Sequence, residues 1–440
     1  LLDGMHSQYI RPTHPDTRAF HEAFADIVAL FQHFSFPEVL KHQIARTKGD
    51  LASQNLLGQL AQEFGKAIGG YGSLRDAIGG IDPATGQWQP HEPDANEYET
   101  VLEFHARGSI LVAAVFEAFL TIYKSRIRKL LRVATGGTGK LADGDIHPDL
   151  VDLLAETAAS TAQRILKICV RALDYCPPLD INFGDYLRAL ITADIDLVKE
   201  DVHNYRIAFV EAFQRRGIYP EGIKTMSVEA LCYPELPVVN QLKINEALFG
   251  EFLKSFKDDV GYLTDRRDIY GKTKKYIAGS EDTKAGLHNR IFTKLLEKIS
   301  VDDLLQLTGL YFGGTQAECR KNGFNYSSRS KTAAYWVDHM WLASRISPDD
   351  KIVNHVVITL TQQRGVKCRL NEEDQFSIEG YAPPVEEAAD TLYRFNAGCT
   401  LIFDLDNMRL KYVIKKGIDD EARLEQQFRY CCANTLQDNH

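Results

Sequence analysis

The chain has 440 residues, enough for two or three domains. Hydrophobic residues make up 44% and charged residues 25%, which argues against a disordered or fibrous chain. The formal net charge of −9 argues against wholesale binding to nucleic acid or an anionic membrane and leaves room only for local basic patches.

Residues 16–47 are predicted to be mostly helical, because Phe20, Phe24, Ile27, Val28 and Phe31 recur at helical spacing. A second amphipathic helix is expected over 53–67, stopped at Gly69-Gly70-Tyr71-Gly72. Residues 79–98 lack periodicity and read as a loop. Ser109 to Leu131 is apolar on most sides and reads as a buried helix, ended by Thr135-Gly136-Gly137-Thr138-Gly139. Its apolar run near 110–116 is broken by Glu117, so no membrane span is expected. Helices follow over 149–175 and 184–196, separated by Pro177-Pro178, and over 203–216 before Gly217.

Pro220, Pro234 and Pro237 mark a connector. Helices are then expected at about 242–257, 284–299 and 301–311. His355 to Gln362 alternates as a strand does, and 400–414 reads as two strands around an Asp406-Asn407 turn. The expected fold class is a mainly α first half over residues 1–222 and an α+β accessory domain over 223–440. The second domain is expected to be helical over 241–345 and strand-rich over 352–416.

The eight cysteines include no CxxC spacing, so free thiols in a reducing, cytoplasmic compartment are expected. The chain opens Leu1-Leu2-Asp3 without an initiator methionine, so its true N-terminus is expected upstream.

Chemistry can reside in HEAFAD at 21–26. Glu22 and Asp26 lie one helical turn apart, so one carboxylate can bind a metal while the other orients a ligating imidazole. Acidic pairs at this spacing are also common on solvated helices. Here Phe20, Phe24 and Ile27 make the helix partly buried, and buried carboxylates need partners. His105, in FHARGSI, sits at a loop-to-helix junction, where it can donate a proton to a developing oxyanion. A lone histidine there is more often structural. Arg75, in GSLRDAI, reads as a surface arginine or a carbonyl clamp. ATGGTGKL at 134–141 lacks two features of a phosphate loop and reads as a helix-terminating loop. RRDIYGKTKK at 266–275 reads as a solvated basic face.

Taken together and in order, these segments resemble thermolysin and its relatives, zinc metallopeptidases of the gluzincin type. HEAFAD resembles the family's NExxSD motif, LRDA at 74–77 its LRS-type segment, and FHARGSILVAA its histidine loop and following helix. RALDYCPPLDINFGDYLRAL at 171–190 and AFQRRGIY at 212–219 resemble its closing segments. The resemblance covers roughly residues 1–220. It implies a thermolysin-like helical lobe that binds Zn2+ through Glu22, with Asp26 behind a zinc histidine. It implies Arg75 on the substrate backbone, and His105 with Tyr9 on the tetrahedral intermediate. No motif supports calcium. Leu1-Leu2-Asp3 fits the end of an HExxHAxxD segment, so the two zinc histidines and the catalytic Glu are expected just before Leu1. The expected partners are a peptide or protein substrate and an N-terminal lobe of the same protein, with no nucleic acid and no membrane.

His21 and Ala25 replace the family's Asn and Ser, and Thr100 replaces the Asp that orients the loop histidine. Glu99 and Glu103 stand as substitutes for that Asp. His6 and His14 lie eight residues apart around a proline-containing loop, which is not a zinc-ligand spacing. The alternative reading is a non-catalytic, peptidase-like scaffold, or a partner-binding protein whose function lies in the C-terminal domain.

Overall fold

The computed structural model describes residues 2–51, 79–81, 88–90, 92–142, 144–237, 250–279, 286–290, 295–328, 330–347, 352–385 and 392–437. Helix makes up 51% and strand 17%. The broad expectation of a helical first half followed by an α+β region holds. The chain divides into two compact units, each assembled from non-contiguous pieces.

The helical unit comprises 10–173 and 181–232. Its main helices are α1 (Pro15–Phe34), α2 (Pro37–Thr47), α3 (Phe104–Ala134), α4 (Pro148–Ala172), α5 (Phe183–Leu197) and α6 (Tyr205–Gln214). Proline opens α1, α2 and α4, where its missing N–H costs nothing and its fixed φ suits the first turn. An Asn182–Asp185 capping box starts α5. By length and composition α3 is apolar enough to cross a membrane, but 72% of its most apolar window is buried within the protein, as in a core helix. Phe31 and Phe34 of α1 meet Phe116 and Phe119 of α3 with ring centroids 5.2–5.9 Å apart. Gly217 ends the turn after α6 at φ +71°, and a Cβ there would lie 2.1 Å from the Ala95 carbonyl oxygen.

The sheet unit comprises 1–9, 174–180 and 233–440. Its main helices are α7 (Gly250–Val260), α8 (Arg266–Ala278), α9 (Val301–Thr308) and α10 (Glu421–Gln437). Its strands are β1 (Trp336–Ile346), β2 (Ile352–Leu370), β3 (Phe376–Tyr381), β4 (Tyr393–Asp404) and β5 (Arg409–Lys416). They form one antiparallel sheet in the order β1-β2-β4-β5, with β3 on the far half of β2.

Val356, Ile358 and Leu360 of β2 and Cys399, Leu401 and Phe403 of β4 share one face. They join a core with Phe252, Phe256, Tyr276, Leu304 and Leu424. The opposite face is covered by 174–180. Thr400 donates to the Cys176 carbonyl at 2.7 Å, and Gly398 lies against Pro178 and Leu179. This explains one departure from the alternation: residues 355–362 are buried on both faces, not on one.

The structure departs from the expectations at other points as well. The expected helical stretch 241–345 contains β1. Its residues 339–345 (HMWLASR) have helix-forming composition, but pairing with β2 from Trp336↔Thr361 to Ile346↔Ile352 overrides it. The division between units falls at Cys232/Tyr233, ten residues after the expected boundary at 222/223. Residues 1–9 and 174–180 belong with the sheet unit because Pro177-Pro178 breaks the helix and leaves carbonyls free to accept sheet hydrogen bonds. The expected loop at 79–98 contains a short hairpin, Gly79–Ile81 with Trp88–Pro90. The helix expected at 53–67 lies outside the described residues. Of 284–299, Leu287–Arg290 is helical and 291–294 lies outside them.

Candidate functional site

The local architecture begins with a buried ion pair. Asp16, in the first turn of α1, is fully buried. It accepts from Arg107 Nε, from the Tyr98 hydroxyl at 2.5 Å and from the Phe183 amide at 2.8 Å. Arg107, one turn into α3, also donates to the Tyr98 and Val101 carbonyls at 2.6 and 2.7 Å and lies 4.3 Å from the Tyr98 ring centroid. Burial and the Asp16 charge hold the Tyr98 phenol well above its ordinary value, so it stays a donor. These bonds pin the start of α3 to the start of α1. At the crossing, a Cβ on Gly108 would lie 3.0 Å from the Ala19 carbonyl oxygen and 3.5 Å from the Ala23 nitrogen. Gly108 thus permits the close approach of the two helices.

His105, at the start of α3, lies within electrostatic range of Asp26 on α1. These two residues and Glu22 are placed by rigid helices, and Glu22 and Asp26 are half-buried. Neither carboxylate makes a hydrogen bond or ion pair with another described residue. Burial, and then the Glu22 charge, push the Asp26 carboxyl up to about 6, while the His105 charge acts in the opposite direction. The three groups are therefore within electrostatic range of one another.

Glu103 organises the histidine. One carboxylate oxygen accepts from the Ala106 amide at 2.7 Å and caps α3. The other lies 2.9 Å from His105 Nδ1. Burial raises the Glu103 carboxyl, but the bonds from the Ala106 and His105 amides and the His105 ring outweigh it and hold it below the ordinary value. Of the two substitutes weighed for the orienting Asp, Glu103 is the one that touches the ring. The imidazole is about half exposed. With Nδ1 directed at Glu103, Nε2 is the nitrogen available to a ligand.

Two expected site residues remain. Arg75 falls outside the described residues. Tyr9 belongs to the sheet unit, is 1% exposed, and donates to the Pro177 carbonyl at 2.5 Å. Sequence reasoning missed Asp16 and Arg107. The available signals were an acid in the first turn of a partly buried helix and an arginine opening an apolar one.

Among the described residues no group of three His, Cys, Asp or Glu side chains could hold a metal by itself. Glu22 and Asp26 would nevertheless fit a cation shared with other ligands, since neither carboxylate makes an ion pair with a described residue. An uncompensated pair destabilises the fold. The folded carboxyl of Asp26 lies above its unfolded value of 3.8, so the penalty is absent at low pH and present once pH passes about 6. Asp26→Asn is expected to stabilise the metal-free helical unit at pH 7.5 by about 1–2 kcal/mol after solvent screening. An unchanged or lower urea midpoint would contradict this. No family model, curated protein or solved structure matches the chain.

Proposed function

We propose that the chain carries one side of a zinc-dependent peptidase centre on a thermolysin-like helical lobe. One observation carries this reading: Asp26 feels the charges of Glu22 on its own helix and of His105 on α3, and neither carboxylate makes a hydrogen bond with a described residue. Glu22 would hold the zinc together with the two histidines of the HExxH segment that the resemblance implies. Zinc bound there supplies Lewis acidity and lowers the pKa of a water molecule towards neutrality.

The other roles belong to this chain's own residues. Asp26 accepts the ring N–H of a ligating imidazole and fixes its tautomer. Its raised pKa, about 6 without that partner, drops when a cationic neighbour is present. Glu103 holds His105 Nδ1, so Nε2 can donate to the oxygen on which charge develops. Arg75 would grip the substrate backbone. The substrate is a peptide or protein, and the expected compartment is the cytoplasm.

The test is hydrolysis of a quenched fluorescent peptide library by the protein expressed from its complete reading frame. Glu22→Ala is expected to abolish turnover, and His105→Ala to lower kcat by roughly 10²–10³-fold. Full activity in Glu22→Ala would refute the reading. Full activity in His105→Ala would remove that residue from the mechanism.

A further inference from the structure

The helical unit carries a second cluster, built from positive charge. From Ala118 to Ala134, α3 contains Lys124, Arg126, Arg128, Lys129 and Arg132 and no acid. From Thr157 to Ala172, α4 contains Arg164, Lys167 and Arg171 and again no acid. The two stretches touch: Arg126 donates to Thr161 Oγ1 at 2.5 Å and to Ser160 Oγ at 3.1 Å. The Tyr205 hydroxyl joins Thr161 and Arg126. The Arg164 guanidinium carbon lies 4.6 Å from the Tyr205 ring centroid. His203, exposed just before α6, faces the same group. Partial burial, and then the charges of Arg126, Arg164 and Lys129, lower its imidazole below the ordinary value.

Nearby acids do not balance this charge. Asp194 is buried and shared by Arg206 at 2.8 Å, Arg164 at 3.4 Å and Arg171 at 3.9 Å. Asp201 accepts from the Tyr205 and Arg206 amides at 2.9 and 2.8 Å, capping α6. Arg126 and Lys129 make no ion pair with any described residue, and the Nε of Arg164 is buried without a hydrogen bond to one. In a chain of net charge −9, this concentration of cations is local and specific.

We propose that Arg126, Lys129, Arg164 and His203 bind a compact polyphosphate group, such as inorganic pyrophosphate or the diphosphate of a nucleotide. Guanidinium forks match phosphoryl oxygens, and the lysine adds a point charge. Four cationic or titratable side chains at one locus favour two linked phosphates over one. This inference is independent of the peptidase reading, because it uses none of that site's residues.

The test is calorimetric titration at about 0.15 M salt with phosphate, pyrophosphate and ADP, alongside the His203 ring signals by NMR. Saturable pyrophosphate binding that shifts the His203 signals is expected, with phosphate weaker. If ADP binds more tightly than pyrophosphate, the phosphates come from a nucleotide. Equal affinity points to the inorganic ion. Both results support the site. Arg126→Gln with Lys129→Gln is expected to lower affinity about tenfold or more. The control pair Lys274→Gln with Lys275→Gln, on α8, is expected to leave it unchanged. Absent pyrophosphate binding, equal losses in both pairs, or binding confined to single-stranded oligonucleotides would overturn the proposal.

Discussion

Arg107→Ala is expected to destabilise the helical unit by about 3–5 kcal/mol, the usual cost of removing one member of a buried ion pair. Asp16 would then stay fully buried without its guanidinium, keeping the Tyr98 hydroxyl and the Phe183 amide as donors. The Tyr98 and Val101 carbonyls would lose their shared donor. Asp16→Ala is expected to cost a similar amount, because it strands the guanidinium. The double variant should cost less than the sum, since each single change leaves a charge unpaired that the double change removes. Hydrogen exchange of the α3 amides reads this unit without contribution from the sheet unit. A loss of protection worth less than about 1 kcal/mol in Arg107→Ala would mean that the pair does not pin the helices.

The second large effect concerns acid sensitivity of the sheet unit. His355, on β2, is 3% exposed. Burial, assisted by the Arg345 charge and opposed by Asp404 and Asp406, lowers its imidazole to about 4. The unfolded chain therefore takes up a proton near pH 6.5, where the folded protein does not. Stability from this residue is complete above that value and is lost as pH falls towards 4. The shift corresponds to about 3 kcal/mol. Urea unfolding is best followed by fluorescence in a Trp88→Phe background, which leaves Trp336 and Trp341 of this unit as the emitters. Between pH 7.5 and 4.5 the wild-type midpoint is expected to fall more steeply than that of His355→Gln. Parallel declines would contradict the assignment.

The long apolar helix α3 was legible because its composition leaves no other reading, and the β4–β5 hairpin because Asp406-Asn407 marks its turn. β1 was not legible. Its helix-like composition is overridden by a strand that begins only six residues later in the chain, and single-residue preferences carry no information about pairing. The 174–180 segment was misassigned because Pro177-Pro178 signals a break but not where the broken chain goes. For the candidate site, the order of segments pointed to Glu22, Asp26 and His105 without any knowledge of their distances. The support around them was hidden, because Asp16 and Arg107 stand 91 residues apart and their pairing is purely tertiary. Glu103 and Glu99 were equivalent on paper. Only the backbone turn at the start of α3 aims Glu103 at the ring.

The most direct measurement is metal content. The protein expressed from its complete reading frame, purified without chelators, would be assayed by elemental mass spectrometry beside Glu22→Ala and His105→Ala. The account predicts about one zinc per chain in the wild type and in His105→Ala, and none in Glu22→Ala. A wild type without zinc, or zinc undiminished by Glu22→Ala, would contradict it.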